Sequence, residues 1–119
     1  MQVSKRELSI EFEQQIKEIF AQLIADLPNK DKAQQFLQDF LTETEYIALA
    51  KRLTIMLYLD KGRSYEDIKK EVKVSSATIA SVQKAMEKAK PGFVLALQYM
   101  KAEEWASTWA DKITGFFGK

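Results

Sequence analysis

Apolar residues at the start of the chain recur at gaps of three and four: Leu8, Phe12, Ile16, Ile19, Phe20, Leu23, Ile24 and Leu27. That spacing puts them on one stripe of an α-helix, which Pro28 and Asn29 should end. A shorter stripe follows at Ala33, Phe36, Leu37, Phe40 and Leu41, with Asn29 or Asp31 as its expected cap. Thr42 and Glu45 are spaced as a capping box, in which each side chain serves the other residue's backbone amide. The helix they open should run to about Lys61, where Gly62 can supply a left-handed C-cap. Its apolar residues (Tyr46, Ile47, Ala48, Leu49, Ala50, Leu53, Ile55, Met56, Leu57, Tyr58, Leu59) surround most of its circumference. A helix apolar nearly all round must be covered on several sides. So short a chain has few helices to spare, and a second subunit is the natural source.

Beyond Gly62 the pattern predicts two short helices with a tight connection, a helix-turn-helix over about residues 64–86. Ser64 should cap the first, with Tyr65, Ile68 and Val72 facing inward. Ser75 or Ser76 should cap the second, with Ala77, Ile79, Val82 and Met86 as apolar contacts, and Val74 should plug the corner. Pro91 and Gly92 break the pattern. A last helix then carries Phe93, Val94, Leu97 and Met100 and continues through Trp105, Trp109, Ile113 and Phe116. No strand-like alternation, repeat or low-complexity tract occurs, so the expected fold class is all-α, in a single domain spanning residues 1–119.

Composition narrows the chemistry. With no cysteine and no histidine, the chain lacks thiol nucleophiles, thiolate metal sites and the commonest general base. Glycine occurs only at 62, 92, 115 and 118, so no loop can cradle a phosphate in the P-loop manner. Glu103, Glu104 and Asp111 point in different directions on a helix and make no carboxylate pair. A non-enzyme, without cofactor or metal, is expected. The start of the chain has no apolar signal core, and the longest apolar run (residues 53–59) is far too short to cross a bilayer. A cytoplasmic address without membrane attachment follows as the expectation.

Net charge is only +1, but its distribution is uneven. Residues 61–90 hold eight basic side chains against four acidic ones, +4 in all, while the remainder holds ten against thirteen, or −3. A basic segment on a slightly acidic body is the footprint of a local DNA-contacting element. It coincides with the helix-turn-helix, whose second helix would project small polar residues toward a major groove. A plain helical hairpin in a bundle would share the same capping signals.

The segments FLTETEYIALAKR at 40–52, LDKGRSYEDI at 59–68, VSSATI at 74–79 and AKP at 89–91 resemble the Trp repressor and its relatives, especially the Trp-repressor-like branch of uncharacterised regulators. The resemblance covers about residues 10–105. It implies six helices per chain around a central helix-turn-helix, in an intertwined homodimer that binds double-stranded DNA as a transcription regulator. On that basis Ser75, Ser76, Ala77 and Ala80 fall where relatives present groups to base edges. Ser75 reads chiefly as a cap, and Ser76 as either cap or contact. Lys69, Lys70, Lys73 and Lys84 are candidate phosphate contacts, against a reading as ordinary solvated lysines.

The departures from the family pattern matter as well. Lys73 stands at a turn position where relatives often carry glycine, and this is costly only if its φ is positive. Thr42 and Arg52 match positions of the family's effector pocket. Ser81, Val82 and Ala85 replace the arginine, glycine and serine that tryptophan-binding members carry there. L-tryptophan is therefore not expected as a ligand. The missing arginine also sustains a rival reading, a protein-interaction module that kept the fold and lost DNA affinity. Residues 103–119 extend past the family's usual end. Their aromatic stripe (Trp105, Trp109, Ile113, Phe116, Phe117) reads as core or dimer packing, with a partner-binding helix or membrane-surface contact as alternatives.

Overall fold

The computed structural model describes residues 7–88 and 90–102. Six helices follow in order: α1 (Ile10–Asp26), α2 (Lys30–Phe40), α3 (Glu43–Asp60), α4 (Tyr65–Val72), α5 (Ser76–Glu87) and α6 (Pro91–Ala102). No strand occurs among the described residues, as the all-α expectation required. The aromatic stripe beyond residue 102 lies outside the described residues. The chain divides within α3 into two compact units, Met1–Leu49 and Ala50–Lys119.

Local chemistry explains the helix boundaries. Ser9 and Asn29 each accept a hydrogen bond from an amide three residues on, at 3.1 and 3.0 Å, and so start α1 and α2. The Thr42–Glu45 box is reciprocal: the Thr42 amide donates to Glu45 Oε1 at 2.9 Å, and the Glu45 amide donates to Thr42 Oγ1 at 3.1 Å. The bond from the Thr42 amide holds the Glu45 carboxyl below the ordinary carboxylate value. At the other end of α3, the Arg63 amide bonds the Tyr58 carbonyl and the Gly62 amide bonds the Leu59 carbonyl, both at 3.0 Å. With Gly62 at φ 79°, this is a Schellman cap.

Among the described residues of the first unit, those of α1 and α2 included, none is buried. The α1 stripe lies open to solvent, from 39% exposed at Ile16 to 69% at Ile19, with Leu27 at its end half-buried. A small aromatic contact joins Phe36 to Phe40 at 4.9 Å and Phe20 to Phe40 at 6.0 Å between ring centroids. Beside it lies an open groove of about 550 Å³ lined by Leu27, Pro28, Lys32, Gln35, Phe36, Asp39 and Phe40.

The second unit holds the core. Ile55, Met56 and Tyr58 of α3 meet Ile68 and Val72 of α4, Ile79 and Val82 of α5, and Met100 of α6. Val74 packs at the corner between α4 and α5, and Tyr65, Met86, Phe93 and Leu97 close the margins. Two expected contacts differ. Ala77 is exposed on α5, and Val94 is exposed on α6, where Ala96 packs instead. Each fully buried isoleucine contributes on the order of 2 kcal/mol, so Ile68 and Ile79 are principal anchors of this unit.

A polar cluster ties the end of α3 to α4. The Arg63 guanidinium lies 4.6 Å from the centre of the buried Tyr58 ring, pairs with Glu71 at 2.7 Å, and lies 3.5 Å from Asp67. Burial and the Glu71 charge both push the Tyr58 phenol upward. For Arg63, partial burial opposes the charged form, but Glu71 outweighs it and the guanidinium is held protonated. Lys101 pairs with Asp60 at 3.1 Å, linking α6 to the same end of α3.

The turn between α4 and α5 spans only Lys73 to Ser75, and Lys73 closes α4 in the left-handed conformation, φ 61° and ψ 58°. A side chain in that region costs about 1 kcal/mol relative to glycine. Lys73→Gly is therefore expected to stabilise the fold by about 1 kcal/mol, read from denaturation midpoints at fixed protein concentration. Unchanged or reduced stability would mean that Lys73 makes compensating contacts. Arg63→Met should cost about 2 kcal/mol by stranding Glu71 and losing the contact with the Tyr58 ring. A neutral result in the same denaturation assay would show that the cluster is decorative.

Candidate nucleic-acid interface

Helix α5 starts at a capped serine. Ser75 Oγ accepts from the Thr78 amide at 3.1 Å and lies 3.0 Å from Thr78 Oγ1, so Ser75 is the cap and Ser76 the first helical residue. Ile79 and Val82 turn inward, which fixes what the opposite side presents. At helical spacing, Ser76, Ala80 and Lys84 form one exposed row, and Ala77, Ser81, Lys84 and Lys88 form an adjoining one. Near the N-terminal end of this surface the residues are small; toward the C-terminal end they carry lysines.

The structure brings most of the expected site residues to the exterior of one element pair. Lys70, Lys73, Ser75, Ser76, Ala77, Ala80 and Lys84 are exposed, and Lys69 is half-buried. Lys69 and Lys70 also occupy the last turn of α4, where cations oppose the helix dipole favourably, while Glu66 and Asp67 occupy its first turn. Lys73 projects from the turn itself.

Three contacts that fix α4, α5 and the turn between them join residues beyond helical-neighbour spacing. Lys51 Nζ of α3 donates to the Lys73 carbonyl at 3.2 Å, pinning the left-handed turn. The Tyr65 hydroxyl of α4 bonds Gln83 Oε1 of α5, joining the two helices on their exposed side. The Arg63–Glu71 pair fixes α4 to the end of α3. Their partners are separated by 22, 18 and 8 residues. No local pattern announces them.

Beside α5 lies an open cleft of about 250 Å³ lined by Arg52, Ala77, Thr78, Ser81 and Val82. Arg52, Ser81 and Val82 thus come together as the resemblance implied. Val82 belongs mainly to the core, at 4% exposure. Ala85 is half-buried and does not line the cleft, and Thr42 is engaged in its capping box in the first unit. Among the described residues, no cluster of acidic side chains could hold a metal ion, and no helix is long and apolar enough to cross a membrane.

Comparison with known proteins agrees with this arrangement. The family described as Trp repressor protein matches residues 14–101, a span that contains all of α2 to α5 and most of α1 and α6. An uncharacterised protein of Bacillus subtilis (strain 168), YerC, is 29% identical over 85 residues, covering 71% of this chain and 82% of its own length. No solved structure matches the chain significantly. The match takes in the helix-turn-helix and the helices on either side of it: the chain belongs to the Trp repressor family.

Proposed function

We propose that the protein is a sequence-specific DNA-binding transcription regulator, a repressor acting as a homodimer in the cytoplasm. In this reading both copies of α5 enter successive major grooves of a short palindromic operator, about 34 Å apart. The observation that carries it is the exposed surface of α5, small at Ser76, Ala77 and Ala80 and basic at Lys84, on a helix anchored from behind by Ile79 and Val82. Small side chains allow close approach to the groove but offer no long bidentate donors. Specificity would then come from DNA shape, bridging water and methyl contacts. Lys69, Lys70, Lys73 and Lys84 supply phosphate contacts, and Ser75 remains chiefly a cap.

The exposed α1 stripe supports the dimer. Eight large apolar side chains between Leu8 and Ile24, together with Phe40, Ile47, Leu49 and Leu53, are exposed in the single chain. A second copy is the cover we propose, with the whole chain acting as one dimer-forming domain. The rival reading, an interaction module without DNA affinity, draws on the near-neutral total charge and on Ser81 where relatives carry arginine.

L-tryptophan is not the effector in this account. One wall of the cleft keeps Arg52, but Ser81 supplies no second guanidinium to sandwich an indole, and the alanine at 85 offers no hydroxyl.

Binding to random duplex, followed as salt is raised, separates the two readings. A DNA binder loses affinity steeply with salt, whereas an interaction module has none to lose. Lys73→Ala and Lys84→Ala should each weaken binding equally across unrelated sequences and lower the salt slope by about one. A substitution at Ser76 should instead change which sequences are preferred. Parent-like binding by both lysine variants would refute this docking. Light scattering down to low micromolar concentration should give twice the chain mass, and a folded monomer there would exclude the dimer. Calorimetric titration with millimolar L-tryptophan should show no saturable heat; saturable heat, or a tryptophan-dependent gain in DNA affinity, would overturn the reading of Ser81 and Ala85.

A further inference from the structure

We propose that the open groove beside Phe36 and Phe40 of α2 receives residues 103–119 of a second copy of this chain, with Trp105 and Trp109 filling it. The inference rests on the dimer reading above. It adds an interlock from a segment beyond residue 101, where the match to the family ends. The apolar lining of the groove is Leu27, Pro28, Phe36 and Phe40, and Phe40 is 61% exposed. Its volume of about 550 Å³ lies within the roughly 300–1,000 Å³ that seats a drug-sized ligand, so large aromatic side chains have room there. Lys32 and Asp39 also line it, and among the described residues neither side chain has a hydrogen bond or an ion pair. An uncovered apolar lining beside uncommitted charges of both signs suits an amphipathic segment.

Residues 103–119 have the sequence of such a segment. Trp105, Trp109, Ile113 and Phe116 recur at gaps of four, four and three, a spacing that predicts one helical stripe. As a helix the segment would span about 25 Å, against about 16 Å for the eleven residues of α2, so it can lie along the whole groove. The charges agree in direction. Glu103 and Glu104 precede the stripe and Lys112 falls toward its end, while Lys32 stands in the first turn of α2 and Asp39 in its last. Laid parallel to α2, the segment sets an acid against Lys32 and Lys112 against Asp39. Glu104 and Lys112 would be about 12 Å apart along its axis, and Lys32 and Asp39 are about 10 Å apart along theirs. Exposed pairs add little affinity, so the charges fix the direction and the tryptophans supply the burial. Phe40 lines the groove and also meets Phe20 of the α1 stripe. The groove is thus continuous with the surface already assigned to a second copy, and a two-fold dimer makes the exchange reciprocal.

The chain has no cysteine, so engineered thiols have no native competitor, and both of its tryptophans lie in the segment, so intrinsic emission reports on it alone. The test uses the full chain carrying Gln35→Cys and Ala106→Cys together, mildly oxidised. Gln34→Cys with Ala106→Cys is the control, because Gln34 is exposed on α2 but does not line the groove. A non-reducing gel should show a two-chain product in several-fold higher yield than the control gives. Lys32→Glu should lower that yield several-fold, and adding Glu104→Lys should restore part of it. A yield indifferent to both changes would overturn the docking described. A cross-linked single chain would assign the segment to its own copy's groove and overturn the proposal. Emission of the parent should lie to the blue of the urea-unfolded chain. Unfolded-like emission, or buried emission without a cross-link above the control, would also overturn it, the latter by placing the segment on another surface. Light scattering of the parent separates the two readings. A dimer that fails to cross-link leaves the dimer standing without this interlock, whereas a folded monomer removes both.

Discussion

The exposed surface of α5 depends on the contact of Ile68 and Ile79 with the α3 core. Both isoleucines are fully buried, and each stands on a short helix with few other anchors. An eight-residue helix such as α4 is marginal alone in water, so its shape is lent by packing. Once Ile79 and Val82 face inward, helical geometry leaves no freedom in what faces out: Ser76, Ala77, Ala80, Ser81 and Lys84 follow. The polar contacts then refine the angle. The Lys51 bond to the turn, the Tyr65–Gln83 bond and the Arg63–Glu71 pair each join elements that the apolar core has already brought together.

The two units of the chain contrast in how they use apolar residues. The second surrounds Ile55, Ile68, Ile79 and Tyr58 completely, while most of the large apolar side chains described in the first are exposed. Exposed apolar area on that scale is unfavourable in water and marks an interaction surface. In the proposed dimer, assembly and folding are one event for the first unit. The second unit carries α5 on a core of its own. In the proposed dimer, such a division would let assembly set the spacing of the two α5 helices without also having to build them.

Much of the fold was legible in the sequence because its signals are local. The Thr42–Glu45 box, the Ser64 and Ser75 caps, Gly62 and the breaks at Pro28 and Pro91 act within a few residues, and each marks a helix boundary near where the structure has one. The buried sides of α4 and α5 could also be read, from the spacing of Ile68, Val72, Ile79 and Val82. The choice between Ser75 and Ser76 as cap, and between Asn29 and Asp31, turns on side-chain geometry that no pattern encodes. The same holds for Lys73, whose cost depends on the sign of its φ, here +61°. Val94 looked like a core residue because it fits the α6 period, yet Ala96 takes the inner place. The clamps from Lys51 and Gln83 were invisible, because long polar side chains on a helix surface look alike whether or not they find distant partners.

The central claim is that the outer surface of α5 is where this protein meets DNA. The most direct measurement is the change in backbone amide resonances of the full chain when a duplex that it binds is added. The largest changes should fall on residues 73–88, with the buried positions of α3 little altered. Changes confined to α1 and α2, with α5 unmoved, would contradict it.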